Sequence, residues 1–437
     1  MSVKEESVIC KGEILNYQET LKWIHSKVKM GEKPGLKRVE WLLKQFGNPH
    51  RDLAAIHLVG TNGKGSTVSY LQHIFSQSGY EVGTFTSPFI VEFRERISVN
   101  GKMIAEKELI DLVEQVKPVV ERLPKETPYS PATEFEIITV MMFLYFTRIR
   151  PVDIAIIEAG LGGLWDATNV FHALAVLCPS IGLDHQEFLG HSHKEIAKQK
   201  IGVLKAGEPF IYATDRDDVA AVFKETCQLT GSPSYQLDKD FFISHNLASF
   251  DFKYKDTEIK DIKLAMLGEH QKANAALATM ASLLLREKYA KLSLDTIKEG
   301  LEKTKWVGRT EFLGSHLMID GAHNMESIEV LVDLLKSSFS AKKVHLLFSA
   351  VKKKPVNAML DKLEEVGDVT VTSFPFPKAL PLEAYPEKFP TVSNFESWLQ
   401  RLDQAKENDL FVVTGSLYFI SQVRQAVLEK KEKADDK

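Results

Sequence analysis

Ala54-Ala55-Ile56-His57-Leu58-Val59-Gly60-Thr61-Asn62-Gly63-Lys64-Gly65-Ser66 decides the fold. The first six residues are an apolar run of strand length, and the last seven a glycine-rich turn. Val68, Leu71, Ile74 and Phe75 then fall on one face of a helix. Strand, glycine loop, lysine, hydroxyl and helix, in that order, form a phosphate cradle. Glycines let backbone N–H groups turn toward the anion, the helix N-terminus adds partial positive charge, and Lys64 supplies a full one. The Ser66 hydroxyl can reach a magnesium ion or a phosphate oxygen. Against the usual G-x-x-x-x-G-K-[ST] pattern, Leu58 replaces the first glycine and Gly65 separates Lys64 from Ser66. The bland alternative is a glycine-rich surface turn with a chance lysine. The strand-to-helix context favours nucleotide binding.

Composition narrows the class. At 437 residues, two domains are expected, each with its own core. Net charge is −4 on 55 basic and 59 acidic side chains, which makes no electrostatic case for nucleic acid or an anionic membrane. Cys10, Cys178 and Cys227 are odd in number and widely spaced, neither a disulfide framework nor a metal site. Met1 to Lys11 carries acids and no apolar stretch, so no secretory leader is expected. The longest apolar run, around Ile137 to Phe146, reads as a buried helix rather than a membrane span. Together these predict a cytoplasmic protein.

Upstream of the cradle, Leu15, Leu21, Trp23 and Ile24 suggest one helix, and Val39, Leu42, Leu43 and Phe46 a second, with Gly31–Gly35 between them. Downstream, Gly83–Thr86 reads as a short strand, and Val152–Ile157 and Ala173–Cys178 are apolar enough to be strands covered on both faces. Residues 240–264 alternate as a small antiparallel excursion would. Helices are predicted at Glu269–Leu285 and Leu294–Thr304. Strand candidates at 317–319, 344–348, 369–371 and 410–413 then alternate with helical patterns at 327–337, 356–365, 395–405 and 417–428, which argues a second parallel α/β sheet. The boundary is expected near Lys303 to Gly308, and the charged tail from Glu429 is expected to fray.

The chemistry-bearing residues lie at predicted strand ends. Glu158 closes the run Val152–Ile157 and precedes Gly160-Leu161-Gly162-Gly163, the place in a parallel sheet where a magnesium ligand is expected. Asp184-His185 follows the next strand, and His185 could complete a magnesium site or orient a phosphate. His191 and His193 read as a solvated turn. In the helix predicted at His193–Lys205, Lys200 shares a face with Ile196, Ala197, Val203 and Leu204, while Lys194 and Lys198 point elsewhere. A lysine there must snorkel, find an anion or lose its charge. In the second half, Arg309, Asp320, His323 and Ser416 lie at strand ends and suggest the other wall of a shared site. No G-x-G-x-x-G occurs, which disfavours a dinucleotide.

These residues, in order, resemble the folylpolyglutamate synthase and dihydrofolate synthase family of the Mur-ligase superfamily. The resemblance runs through Lys33-Pro34-Gly35-Leu36, His57–Ser66, Thr86-Ser87-Pro88, Glu95-Arg96-Ile97, Glu158–Gly163 and Asp166-Ala167-Thr168-Asn169. It continues through Leu183-Asp184-His185, Leu267–Gln271, Gly308-Arg309 and Asp320–Asn324. It implies an N-terminal P-loop ATP-binding domain carrying the folate site (1–304) and a smaller Rossmann-like C-terminal glutamate-ligase domain (305–437). It implies ATP contacts at Gly60, Thr61, Asn62, Gly63, Lys64, Gly65, Ser66, Asn274, Arg309 and Asp320, and Mg2+ ligands at Ser87, Glu158 and His185. Lys64, Lys200 and His323 would be catalytic, with Lys200 carried as a carbamate, and Arg96, Asp166 and Ser416 would face substrates. The implied substrates are a folate or dihydropteroate with L-glutamate, the implied reaction passes through an acyl phosphate, and a monomer is expected. Two positions depart from the family pattern: Phe89 replaces a histidine after Thr-Ser-Pro, and Leu164-Trp165 an arginine-containing pair. The alternatives are a muropeptide or cyanophycin-type ligase and a P-loop nucleotide switch.

Overall fold

The structure is a computed structural model that describes residues 16–28, 35–244 and 249–435. Cys10, Leu15, Lys33 and Pro34 lie outside the described residues.

A large sheet is built from β1 (Ala55–Leu58), β2 (Val82–Phe85), β3 (Ile97–Val99), β4 (Lys102–Met103), β5 (Ile154–Glu158), β6 (Ala175–Cys178), β7 (Phe210–Tyr212) and β8 (Ser234–Gln236), with the apolar, fully buried β1, β5 and β6 at its centre. Its strand order is β4-β3-β2-β5-β1-β6-β7-β8, parallel except where β3 meets β2 and β4. β1 lies at the centre, with Leu58 opposite Glu158 on β5 and Leu177 on β6. This register brings the turn after β1 and the loops after β5 and β6 to one edge, where α/β sheets bind ligands.

Helices cover both faces. On one side lie α1 (Tyr17–His25), α2 (Lys37–Gln45), α4 (Glu106–Glu126) and α5 (Glu134–Leu144). On the other lie α3 (Lys64–Gln77), α9 (Glu269–Leu284) and α10 (Leu294–Lys303). α6 (Gln186–Leu189), α7 (His193–Ile201) and α8 (Asp217–Thr230) flank the β6–β8 edge. α5 is apolar on nearly every side and its residues 136–144 are all buried, as a helix hydrophobic all round should be. Among the described residues, no helix is long and apolar enough to cross a membrane. The predicted antiparallel excursion is present as β9 (Phe242–Ile243), β10 (Phe250–Tyr254) and β11 (Thr257–Ile262).

The second sheet has β12 (Glu311–Phe312), β13 (Leu317–Ile319), β14 (Lys343–Phe348), β15 (Asp368–Thr372), β16 (Thr391–Val392) and β17 (Asp409–Thr414) in the order β12-β13-β17-β14-β15-β16. Only β12 runs antiparallel. α11 (Met325–Ser338), α12 (Val356–Leu363), α13 (Phe395–Leu399) and α14 (Leu417–Asp435) pack on it. Ile90, from the first sheet's half of the chain, is buried in this second core, and the Ser421 hydroxyl donates to the Ile90 carbonyl.

Three expectations need correction. α7 ends at Ile201 rather than Lys205, because Gly202 caps it and the chain turns. The helix at 395–405 changes after Leu399 to a 3-10 turn over Gln400–Gln404. The tail does not fray at Glu429; α14 continues to Asp435, with Lys430 3.6 Å from Asp403. Residues 97–126 and 206–236, which sequence analysis leaves unassigned, hold β3, β4, α4, β7, α8 and β8. Pro118 and Pro124 interrupt the helical signal of α4, yet Leu109, Leu112, Val113, Val116, Val120 and Leu123 form its buried stripe.

Candidate active site

The cradle begins where β1 ends. Gly63 caps α3 with φ +85°, a backbone that side-chain-bearing residues avoid, and a Cβ there would lie 2.5 Å from the Asn274 Oδ1. Thr61 Oγ1 donates to the Gly182 carbonyl (3.1 Å) and the Asn62 amide to Ser180 Oγ (3.0 Å), so the loop after β6 buttresses the turn. Lys64 Nζ donates to the carbonyls of Gly60 (3.0 Å) and Thr61 (3.3 Å) and lies 3.6 Å from Glu158 Oε1. Ser66 Oγ accepts from Gln271 Nε2 (3.3 Å), whose Oε1 accepts from Asn274 Nδ2 (3.2 Å). The segment Leu267–Gln271 thus opens a helix, α9, that meets the cradle directly.

Glu158 is buried. Burial raises its carboxyl, against the opposing pull of the Lys64 ammonium and the Ser87 amide, which donates to Oε2 at 3.3 Å. Ser87, Glu158 and His185 line one cavity of about 110 Å³ with the cradle, Lys200 and His323. Among the described residues, no three His, Cys, Asp or Glu side chains converge as a metal cluster. A hydroxyl, a carboxylate and an imidazole around one cavity still suit a hard cation that keeps several waters.

Lys200 does not snorkel. It is 4% exposed, and its Nζ donates to the Gly60 carbonyl at 2.7 Å. Burial, reinforced by the Lys64 charge, lowers its pKa to about 7. Lys194 and Lys198 are exposed, as the helix period requires.

The second half closes the site. Asn62 and Asn324 exchange amide hydrogen bonds of 3.2 and 3.0 Å. Asp184 pairs with Lys354 at 2.6 Å and accepts from Asn324 Nδ2 at 3.3 Å, and His323 Nε2 lies 3.8 Å away. Burial alone would raise the Asp184 carboxyl, but Lys354, His185 and His323 hold it well below the usual range. Three side chains of the C-terminal half therefore meet one carboxylate beside His185. His323 is kept neutral mainly by burial, with its pKa lowered to about 4. Its Nδ1 lies 2.8 Å from the Gly321 carbonyl, an acceptor, so the proton belongs on Nδ1 and Nε2 keeps a lone pair. Asp320 is buried, with its oxygens held by the amides of Thr310 and Ala322, both at 2.9 Å.

Two further cavities adjoin the first. One of about 200 Å³ lies between the cradle and α11, with Asn274, Arg309, Asp320 and the apolar Val330, Leu331 and Leu334 on its walls. The other, about 550 Å³, lies between the halves, with Arg96, Asp166, Lys354 and Ser416 on its walls and Trp165, Phe188 and Tyr418 partly exposed at its surface. His323 lines all three.

All the residues expected at the site therefore line these neighbouring spaces, but not all have free polar atoms. Both Asp166 oxygens are taken by Leu161 and Thr168. Arg96 stacks on Phe89 and Phe93, and its buried Nε has no partner. Trp165 lines the largest cavity, whereas Phe89 lies behind Arg96. Sequence reasoning missed Lys354, because nothing in Lys352-Lys353-Lys354 separates it from a solvated charge run.

Residues 58–282 match the Mur ligase middle domain and residues 308–417 the Mur ligase glutamate ligase domain. The chain is similar to the dihydrofolate synthase/folylpolyglutamate synthase of Bacillus subtilis (39% identity, covering 94% of this chain and 98% of the relative). It is also similar to the folylpolyglutamate synthase of Lacticaseibacillus casei (35% identity, covering 95% and 100%). A solved folylpolyglutamate synthase complex with AMPPCP and folate superimposes with a TM-score of 0.84 at 33% identity, covering 95% of this chain and 100% of that one.

Proposed function

Because this chain belongs to the Mur ligases, in the folylpolyglutamate synthase and dihydrofolate synthase family, we propose that its three neighbouring cavities hold ATP, the reacting phosphate and a folate. The enzyme is an ATP-dependent acid–amino-acid ligase that adds L-glutamate to folate. The observation that carries the site assignment is His323, the residue common to all three spaces.

In this reading the nucleoside occupies the cavity bounded by Asn274, Arg309 and Asp320, and its phosphates follow Gly60–Ser66. A folate carboxylate oxygen attacks the γ-phosphorus, the bond to the β-phosphate oxygen breaks, and ADP leaves an acyl phosphate. The glutamate amine then attacks the acyl carbon. The carbon–oxygen bond to phosphate breaks as the amine loses its proton, and amide and phosphate result. Lys64 neutralises charge on the transferring group, the dominant contribution in such chemistry. His323, neutral with Nε2 free, is placed to take the amine proton. Contacts across the halves at Asn62–Asn324 and Asp184–Lys354 keep water from the acyl phosphate.

Ser87, Glu158 and His185 would hold Mg2+, which when bound supplies charge neutralisation at the phosphates. Lys200 is a carbamate site: its neutral amine attacks carbon dioxide at carbon and loses a proton to water. Carbon-13 NMR with labelled bicarbonate reads the adduct, and an unmodified amine at saturating bicarbonate would refute it. The domains are taken as 1–304 and 305–437, the protein as a cytoplasmic monomer, and dihydropteroate as a second acceptor. ADP release with glutamate and either dihydropteroate or tetrahydrofolate decides the acceptor; release with tetrahydrofolate alone would remove the dihydrofolate synthase activity.

A further inference from the structure

His57 lies on β1, three residues before Gly60, and points into the interior rather than the cavities; it is 1% exposed. Its Nε2 is 2.8 Å from Thr168 Oγ1, and Thr168 Oγ1 is 2.6 Å from Asp166 Oδ1. Asp166 Oδ1 also accepts from the Thr168 amide (3.0 Å), and Oδ2 from the Leu161 amide (2.8 Å). All three side chains are buried, Thr168 completely.

The donor count fixes the direction of this chain. A carboxylate only accepts, so the Thr168 hydroxyl must donate to Asp166. Its oxygen then accepts from His57, which places the imidazole proton on Nε2. Burial keeps His57 neutral, with its pKa lowered to about 3, so this arrangement holds across the working range. The far end is the loop Gly160-Leu161-Gly162-Gly163, whose first three residues line both the phosphate cavity and the 550 Å³ cavity. Its other flank is set by α7: the Leu164 amide donates to the Gln199 carbonyl (2.7 Å), and a Cβ on Gly163 would lie 2.4 Å from the Lys200 carbonyl oxygen.

We propose that His57 and Thr168 are positioning residues: acting through Asp166, they set the Gly160–Gly163 loop and so place the acceptor carboxylate against the phosphate cavity. Asp166 then acts on the loop rather than on the substrate. Three buried polar groups are a costly way to fill a core that apolar packing would fill as well, and their completed chain specifies one loop shape. The inference rests on the ligase reading above.

The test uses the full chain with Thr168→Val, Thr168→Ser, His57→Leu and His57→Gln. Initial rates are measured with tetrahydrofolate and ATP varied separately, and amide hydrogen exchange is followed over residues 159–166 and over the cradle. Thr168→Val should raise the acceptor KM about tenfold, the loss expected for one charge-assisted hydrogen bond. The ATP KM should hold and exchange should quicken only over 159–166, while Thr168→Ser should behave as wild type. Should Thr168→Val not fold, His57→Leu, which removes the N–H that Thr168 accepts, should raise the acceptor KM and quicken exchange over 159–166 in its place, and His57→Gln, which keeps an N–H, should restore both; wild-type behaviour of His57→Leu would overturn the proposal. Equal rises in both KM values, or unchanged exchange over 159–166 in Thr168→Val, would overturn the proposal, as would a His57→Gln defect confined to the cradle. Failure of wild type to turn over tetrahydrofolate would instead count against the ligase reading, and the exchange result would still decide the loop.

Discussion

Replacing Lys200 by methionine should separate stability from activity. The ammonium is disfavoured in its buried site, and its pKa falls from the ordinary 10.5 to about 7. This is a basic group with a depressed folded value, so between those limits the unfolded chain binds more protons than the folded one. Wild-type stability must therefore rise with pH through that window and level off above 10.5. Complete passage would be worth about 5 kcal/mol, an upper bound because relaxation of the site reduces it. From pH 7.5 to 9.5, two units, the gain is about 2.7 kcal/mol. Lys200→Met lacks the group and should show none of it. Chemical unfolding of both proteins in carbonate-free buffer at the two pH values gives the difference directly, with the residue's neighbours common to both. The methionine variant should also be the more stable at pH 7.5 and lose most ligase activity. Parallel pH dependences would show that Lys200 stays charged when folded and has no neutral amine to offer.

Glu158→Ala should lower kcat by at least ~100-fold with circular dichroism unchanged; near-normal rates at saturating magnesium would make Glu158 a structural acid. Asp184→Asn leaves the Lys354 ammonium without its carboxylate and should cost about 3 kcal/mol. Adding Lys354→Met should recover part of that loss, and strict additivity in the double-mutant cycle would exclude a direct interaction. Trp165→Ala should raise the acceptor KM while leaving the ATP KM unchanged, and equal KM values to wild type would remove Trp165 from the acceptor site.

Much of the site was legible because its residues sit where strands end. A run such as Ala54–Val59 followed by glycines and a lysine declares both its secondary structure and its ligand. Glu158 and Asp320 are found by the same logic, one acid after one apolar strand. Lys200 was legible as a conflict between charge and helix period, and the structure resolves it in favour of burial. Asp184 was visible at its strand end, yet its ion pair with Lys354 depends on two segments 170 residues apart. Nothing local encodes that pairing. Asp166 shows the converse, since position in a motif suggests substrate contact while its oxygens are spent on its own loop. α4 was hidden by Pro118 and Pro124, whose local cost is outweighed by the apolar stripe it buries.

ATP should be hydrolysed only when an acceptor and glutamate fill the space beside His323. The direct measurement is ADP release by the purified full chain in magnesium-containing buffer, with tetrahydrofolate and L-glutamate supplied together and then each omitted. ADP should form in step with a glutamylated folate in the complete mixture, with only a small residual rate when the acceptor is omitted. ADP release at the same rate without tetrahydrofolate would contradict it and make the protein a nucleotide hydrolase or switch.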